Sequence, residues 1–202
     1  MRAADRLNLL PDPAFAALRP QLADRLAQLS AQLHAAQFRS LLDPVAQRVL
    51  EQGFAEAGAH EGTVWLLDET GENLVPAFNT GPDAELLVGK FKQPLSSGLI
   101  CMVFATERPF LENAVWQHAQ QSKLLDAKLG TQTCAMIAVP LCFLGACRGV
   151  VSCVQLQRPY SPAPAPPGFK PEQLARVEHA VALLGRLVEF RLLSQTVGWS
   201  SD

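Results

Sequence analysis

The sequence has no cluster of basic residues, no long apolar run and no closely paired cysteines, and each absence removes a class of function. Its 202 residues carry 17 Lys and Arg against 19 Asp and Glu, a formal net charge of −2. The cations are scattered, so there is no electrostatic footprint for DNA or RNA, and no nucleic-acid partner is expected. No stretch approaches the roughly 18 continuous apolar residues that a membrane-spanning helix requires, and no membrane partner is expected either. Met1 to Pro13 carries Arg2, Asp5 and Arg6 and two prolines, unlike the apolar centre of a secretory leader. The chain is therefore expected to be cytoplasmic.

The five cysteines are Cys101, Cys134, Cys142, Cys147 and Cys153. An odd count without a leader argues against a disulfide framework, and a zinc site would show close pairs of the C-x-x-C kind. In their apolar surroundings these thiols are expected to be buried small hydrophobes. Cys142 and Cys147 flank a short turn and are expected to face each other as two thiols.

What is present is a change of hydrophobic period along the chain. Phe15, Leu18, Leu22, Leu26, Leu29 and Leu33 recur at steps of three and four and predict one amphipathic helix from Phe15 to Phe38. Asp43-Pro44 is an N-cap followed by proline at the first helical position, opening a second helix that stops near Gly58. Gly62 to Asp68 and Leu74 to Asn79 read as paired strands around a polar turn, with Pro76 marking the partner as an edge. Ala84 to Gly130 is irregular. It holds a helix from Ser97 to Thr106 and a polar stretch through Trp116, His118 and Lys123. Long connections of this kind are where binding sites collect. Cys134–Phe143 and Cys147–Gln157 are apolar on both faces and should lie centrally in a sheet. After a proline-rich loop, a last helix opens at Pro171 with the stripe Leu174, Val177, Val181, Leu184 and Val188, whose 3, 4 spacing also suits a coiled-coil seam.

The order helix, hairpin, long crossover, hairpin, helix resembles the GAF domain. Ser96-Ser97-Gly98-Leu99-Ile100-Cys101-Met102-Val103-Phe104 is similar to that family's Gly-rich start of a helix, and Met136-Ile137-Ala138-Val139-Pro140-Leu141 with Arg148-Gly149-Val150-Val151 to its two central strands. The resemblance runs from about Leu41 to Leu193. It implies an α+β fold: an antiparallel sheet of about six strands, terminal helices on one face and an irregular helical crossover on the other. Residues 1–39 would form a dimerising helix, 40–195 the GAF-like domain and 196–202 a tail. GAF domains bind cyclic nucleotides, tetrapyrroles, haem or small metabolites, and many only dimerise. The chain lacks the asparagine-lysine-phenylalanine-aspartate-glutamate signature of the cyclic-nucleotide binders and the Cys-His pair of bilin attachment, and no kinase, cyclase or phosphodiesterase region is expected after its last helix. No cofactor is named by these residues.

The implied function is a sensory or regulatory domain that binds a small molecule under the crossover and homodimerises through its terminal helices. The alternatives are a ligand-free dimerisation module and an enzyme like free methionine sulfoxide reductase, whose Gly-Val-Cys segment Gly98-Leu99-Ile100-Cys101 resembles. That enzyme's second, attacking cysteine has no counterpart between Gln117 and Ser122, so no catalytic residue is expected. The candidate ligand-binding residues are Ser97, Cys101 and Phe104 on one helix face, Cys134 and Met136 alternating onto one strand face, Trp116 at the rim and His118 as a polar group. His118 is the one histidine of the crossover, but a lone histidine among Gln and Ala is ordinarily a solvated residue, so no metal site is expected.

Overall fold

The computed structural model describes residues 16–159 and 161–197. It opens with α1 (Arg19–Ala31), α2 (Ala35–Leu41) and α3 (Pro44–Glu56). The single helix expected from Phe15 to Phe38 is thus two, and Phe15 itself lies outside the described residues. His34 is extended at φ −100° and ψ 178°, and this break re-aims the chain. Leu26 and Phe38 both reach the core as a result, at 3% and 0% exposure. Asp43 caps α3 as its sequence requires, accepting from the Ala46 N–H at 2.7 Å. Its carboxylate also pairs with Arg191, on the far side of the chain.

The sheet follows as β1 (Glu61–Leu67) and β2 (Asn73–Asn79), then a crossover of α4 (Ala84–Leu87), β3 (Gln93–Pro94), α5 (Leu99–Thr106), β4 (Phe110–Glu112), a 3-10 turn (Val115–Gln117) and α6 (Leu124–Leu129). The two long strands β5 (Gln132–Phe143) and β6 (Ala146–Gln157) and the helix α7 (Pro171–Thr196) complete it. The spatial order is β3-β2-β1-β6-β5-β4, antiparallel throughout. The fold is the six-stranded α+β architecture expected. Pro76 corrects one detail. β2 is one strand in from the edge, yet β3 pairs only with Asn73 and Leu74, so the missing N–H of Pro76 lies beyond that short partner. A register shift opposite Val64 and Trp65 accommodates the proline on its other side.

Strand alternation separates two apolar layers. Val64, Leu66, Ile137, Val139, Val151 and Cys153 face the helices α1, α2, α3 and α7. Trp65, Leu74, Ala138 and Val150 face the crossover, with Phe91, Ile100, Cys101 and Val103. The α7 stripe needs a second correction. Val177, Val181, Leu184, Val188 and Leu192 are no more than 3% exposed and form the helix-side core of this one chain. Leu26 is buried there too, and Leu29 and Leu33 pack against it. These parts of the stripes are core rather than seam, because a sheet this wide needs both helices to cover it, while Leu18 ahead of α1 stays 44% exposed.

Asp68 closes the β1–β2 turn and carries the clearest dependence on pH. It accepts from Thr70 Oγ1 at 2.7 Å, the Glu72 N–H at 3.2 Å, Asn73 Nδ2 at 2.8 Å and Lys92 Nζ at 3.2 Å. Burial alone would raise its pKa, but the hydrogen bonds from Asn73, Thr70 and Lys92 outweigh it and hold the carboxyl well below the usual range. A depressed folded pKa stabilises above the unfolded value and loses that contribution as pH falls. Asp68→Ala is expected to cost about 1–3 kcal/mol at neutral pH. The gap from the parent protein should close as urea titrations are taken below the reference value of 3.8.

Candidate functional site

Three strands present one face to the crossover, and a cavity of about 60 Å³ lies between them, with room for a few water molecules. Glu61, Thr63 and Trp65 alternate onto that face from β1, and Ser152, Val154 and Leu156 from β6. β5 contributes Thr133 and Met136, an odd spacing made possible by a bulge. The register runs Thr133 to Leu156 and then Ala135 to Gln155, so Cys134 is the extra residue. The start of α5, from Gly98 to Ile100, and the segment from Gln121 to Thr131 form the remaining walls.

Most polar groups of the lining are committed to holding these walls. Trp65 Nε1 donates to Ser152 Oγ at 2.9 Å, Asn79 Nδ2 to Thr63 Oγ1 at 2.8 Å, and Gln93 Nε2 to the Ser97 carbonyl at 2.9 Å. Asp126 accepts from Gln121 Nε2 at 3.0 Å, from the Thr133 N–H at 3.0 Å and from Thr133 Oγ1 at 2.6 Å. This knot is also a partition. Gln121, Asp126 and Thr131 line both the inner cavity and an open outer groove beside Trp116, Lys123 and Pro159.

Two buried polar atoms are left over, and one carboxyl has no protein partner. Gln121 Oε1 and Ser122 Oγ are buried without a partner. Glu61 is only 7% exposed, and its carboxyl lies against Gly81, where any β-carbon would collide with it. Burial, and then the like charge of Asp83, push the Glu61 carboxyl above its usual range.

Of the seven residues singled out from the sequence, Met136 lines this cavity. Ser97 is exposed, and it is Gly98, at φ 101°, that precedes α5. Cys101 is turned into the Trp65–Phe91 cluster, where its thiol meets the Pro94 carbonyl at 3.3 Å. Phe104 packs half-buried against the same cluster. Trp116 is 39% exposed and borders the outer groove. His118 meets the Phe110 ring edge-on at 5.7 Å, and its Nδ1 accepts from the Gln120 N–H. Cys134 and Met136 do not share a face by alternation, because the bulge intervenes. Sequence reasoning passed over Glu61, Gln121, Ser122 and Asp126. The first was legible: Glu61, Thr63 and Trp65 are spaced by two on a strand taken to begin one residue later.

The GAF domain family model matches residues 41–188. The chain belongs to the GAF domain family. GAF domains are generally sensory or regulatory modules without catalytic activity of their own, and the fold matches solved members. The GAF domain of a phosphoenolpyruvate-protein phosphotransferase from Coxiella burnetii is 17% identical at a TM-score of 0.59, covering 93% of this chain and 99% of that one. The corresponding Acinetobacter domain is 15% identical at 0.58, covering 89% and 96%. The free methionine-R-sulfoxide reductase of Neisseria meningitidis, solved with its substrate, is 18% identical at 0.55, covering 94% and 97%. At these identities the likeness extends to the fold alone. No curated protein matches the sequence. Among the described residues, this GAF domain has no helix long and apolar enough to cross a membrane and no cluster of metal-ligating side chains.

The cysteines of the domain are poor nucleophiles. Burial pushes Cys101 up to about 11 and Cys153 to about 12. Burial and then the neighbouring Cys142 push Cys147 to about 12. None of the five lines the cavity. The native protein at neutral pH is expected to leave Cys101 and Cys153 unmodified by iodoacetamide under conditions that alkylate a free cysteine, with thiolate at Cys101 about a hundredfold scarcer. Mass mapping of the labelled peptides checks this.

Proposed function

We propose that this GAF domain is a non-enzymatic, ligand-responsive module. A small molecule occupies the cavity beneath the crossover, and a second copy of the chain docks along the outer face of α7. The observation that carries the first half is the set of buried acceptors with no partner, Gln121 Oε1 and Ser122 Oγ, at the edge of a partly apolar cavity. Such atoms cost stability unless something donates to them. Parting of the Gln121–Asp126–Thr133 knot would join the cavity to the outer groove and enlarge it. Native mass spectrometry of freshly purified protein tests the reading, since it reports retained ligand and subunit number together. A ligand-free protein with the cavity closed to xenon would leave dimerisation as the surviving function, a reading that the small cavity volume favours.

The second half rests on side chains left outside the core. Leu183, Phe190 and Val197 are 38%, 64% and 57% exposed and follow one another at seven-residue spacing. That is the repeat of a helix-to-helix seam. Phe190→Glu is expected to convert a dimer into a monomer in multi-angle light scattering, without loss of helix content. A parent protein that is a stable monomer at micromolar concentration overturns this half. Turnover of free methionine sulfoxide with thioredoxin, abolished by Cys101→Ser, would overturn the non-enzymatic reading.

A further inference from the structure

Glu61 is 7% exposed and lines the cavity, and no protein group pairs with its charge. Among the described residues no hydrogen bond or ion pair reaches its carboxylate, and the charged neighbour felt most strongly is Asp83, of the same sign. From the crossover, Gln121 adds an acceptor whose role is fixed. Its amide nitrogen faces the Asp126 carboxylate, so its oxygen must be the free end. Ser122 Oγ is likewise buried without a partner. No lysine, arginine or histidine lines the cavity, whereas Glu61 and Asp126 both do. The lining therefore has a surplus of acceptors and negative charge and lacks a cation. Leu125, Leu129, Val154 and Leu156 make the rest of it aliphatic.

We propose that the cavity binds a small ligand presenting a primary ammonium group on a short apolar stem, with Glu61 as the counter-ion. This rests on reading the cavity as a ligand site. An ammonium brings one compact positive charge and three N–H donors, which answers one unpaired carboxylate and two orphaned acceptors. A guanidinium presents its donors in a flat fork, whereas the ammonium is a compact point charge with three rotatable donors. A phosphate or lone carboxylate would face two acidic side chains with no cation to offset them. The aliphatic wall takes the stem. Free amino acids and simple alkylamines share this chemistry and differ by a carboxylate.

The test uses the full chain, with thermal melting and calorimetric titration at neutral pH. The probes are the aliphatic amino acids and methionine, short n-alkylamines, N-acetyl-leucine and butyrate. Amine-bearing probes should raise the melting temperature, and N-acetyl-leucine and butyrate should not. Binding by amino acids alone identifies the zwitterion as the ligand, and binding by both sets shows that the amine suffices. Glu61→Gln should weaken the best binder about thirtyfold or more. It should melt at or above the parent at neutral pH, since it removes a charge that is largely out of water and has no protein partner. Asp83→Asn, which does not line the cavity, should retain binding. Unchanged affinity in Glu61→Gln, or no response to any amine at millimolar concentration, overturns the proposal. Tight binding of butyrate or N-acetyl-leucine, abolished by the cavity-filling Ser122→Leu, would overturn the ammonium assignment while leaving the cavity a ligand site. A cavity that neither retains nor accepts any molecule removes both readings.

Discussion

Phe38→Ala is expected to destabilise the domain by about 3–5 kcal/mol, a large share of what a chain of this size has to lose. Phe38 is completely buried and stacks on Phe143 with ring centroids 6.5 Å apart and planes 29° from parallel. Phe143 is itself 1% exposed at the end of β5. Removing the ring leaves a cavity between α2 and the sheet that the strands, fixed by their ladder, cannot close. The consequence reaches beyond one residue, because Phe38 precedes the segment that the family model matches. A chain begun at residue 41 should melt cooperatively but well below the full protein. If Phe38→Ala shifts the urea midpoint by less than a third of a cavity-forming change such as Leu184→Ala, the N-terminal helices are an appendage and the argument fails.

Gly149→Val is expected to prevent folding to the native state. Gly149 lies in β6 between Leu66 of β1 and Leu141 of β5, in the middle of the sheet. A β-carbon at this position would run into the Trp65 carbonyl, a backbone atom that cannot rotate away. Trp65 in turn supplies the ring that floors the cavity and the N–H that fixes Ser152. Even Gly149→Ala must push β1 and β6 apart at the strand pair that carries Glu61, Thr63 and Ser152. Circular dichroism and the soluble yield of the two variants test this. A Gly149→Val protein with parent-like melting would show that the close approach is not needed.

The architecture was legible because period and punctuation agree along the chain. Asp43-Pro44 opened a helix, the polar turn at Asp68 joined two strands, and the two apolar runs around Leu144-Gly145-Ala146 became β5 and β6. The break at His34 was not legible, since Leu33 keeps the spacing of the stripe right up to it. It follows from tertiary packing, which draws Phe38 onto Phe143. The α7 stripe carried a real ambiguity, because the same 3, 4 spacing serves a coiled-coil seam and a core face. Burial resolved it toward the core, and moved the candidate seam to Leu183, Phe190 and Val197. The site was the least legible part. One inserted residue at Cys134 puts Thr133 rather than Cys134 on the face of Met136, and a bulge leaves no mark in the sequence. The crossover hides its polar knot for a different reason. Gln121, Asp126 and Thr133 meet only because α6 folds back on β5, and residues that look solvated in the sequence become a wall.

The 26 residues of α7 form a rod of roughly 39 Å at the usual rise per residue. One side of this rod is seated in the sheet, and its far end is tied through Arg191 to the cap of α3. At Gly185 the Cys142 carbonyl comes so near that a β-carbon would not fit, so rod and sheet meet backbone to backbone there. Such a rod has little freedom to slide or spin, because either motion would drag buried leucines and valines out of their sockets. A residue with no side chain thus sets how closely the rod can approach the strand beneath it.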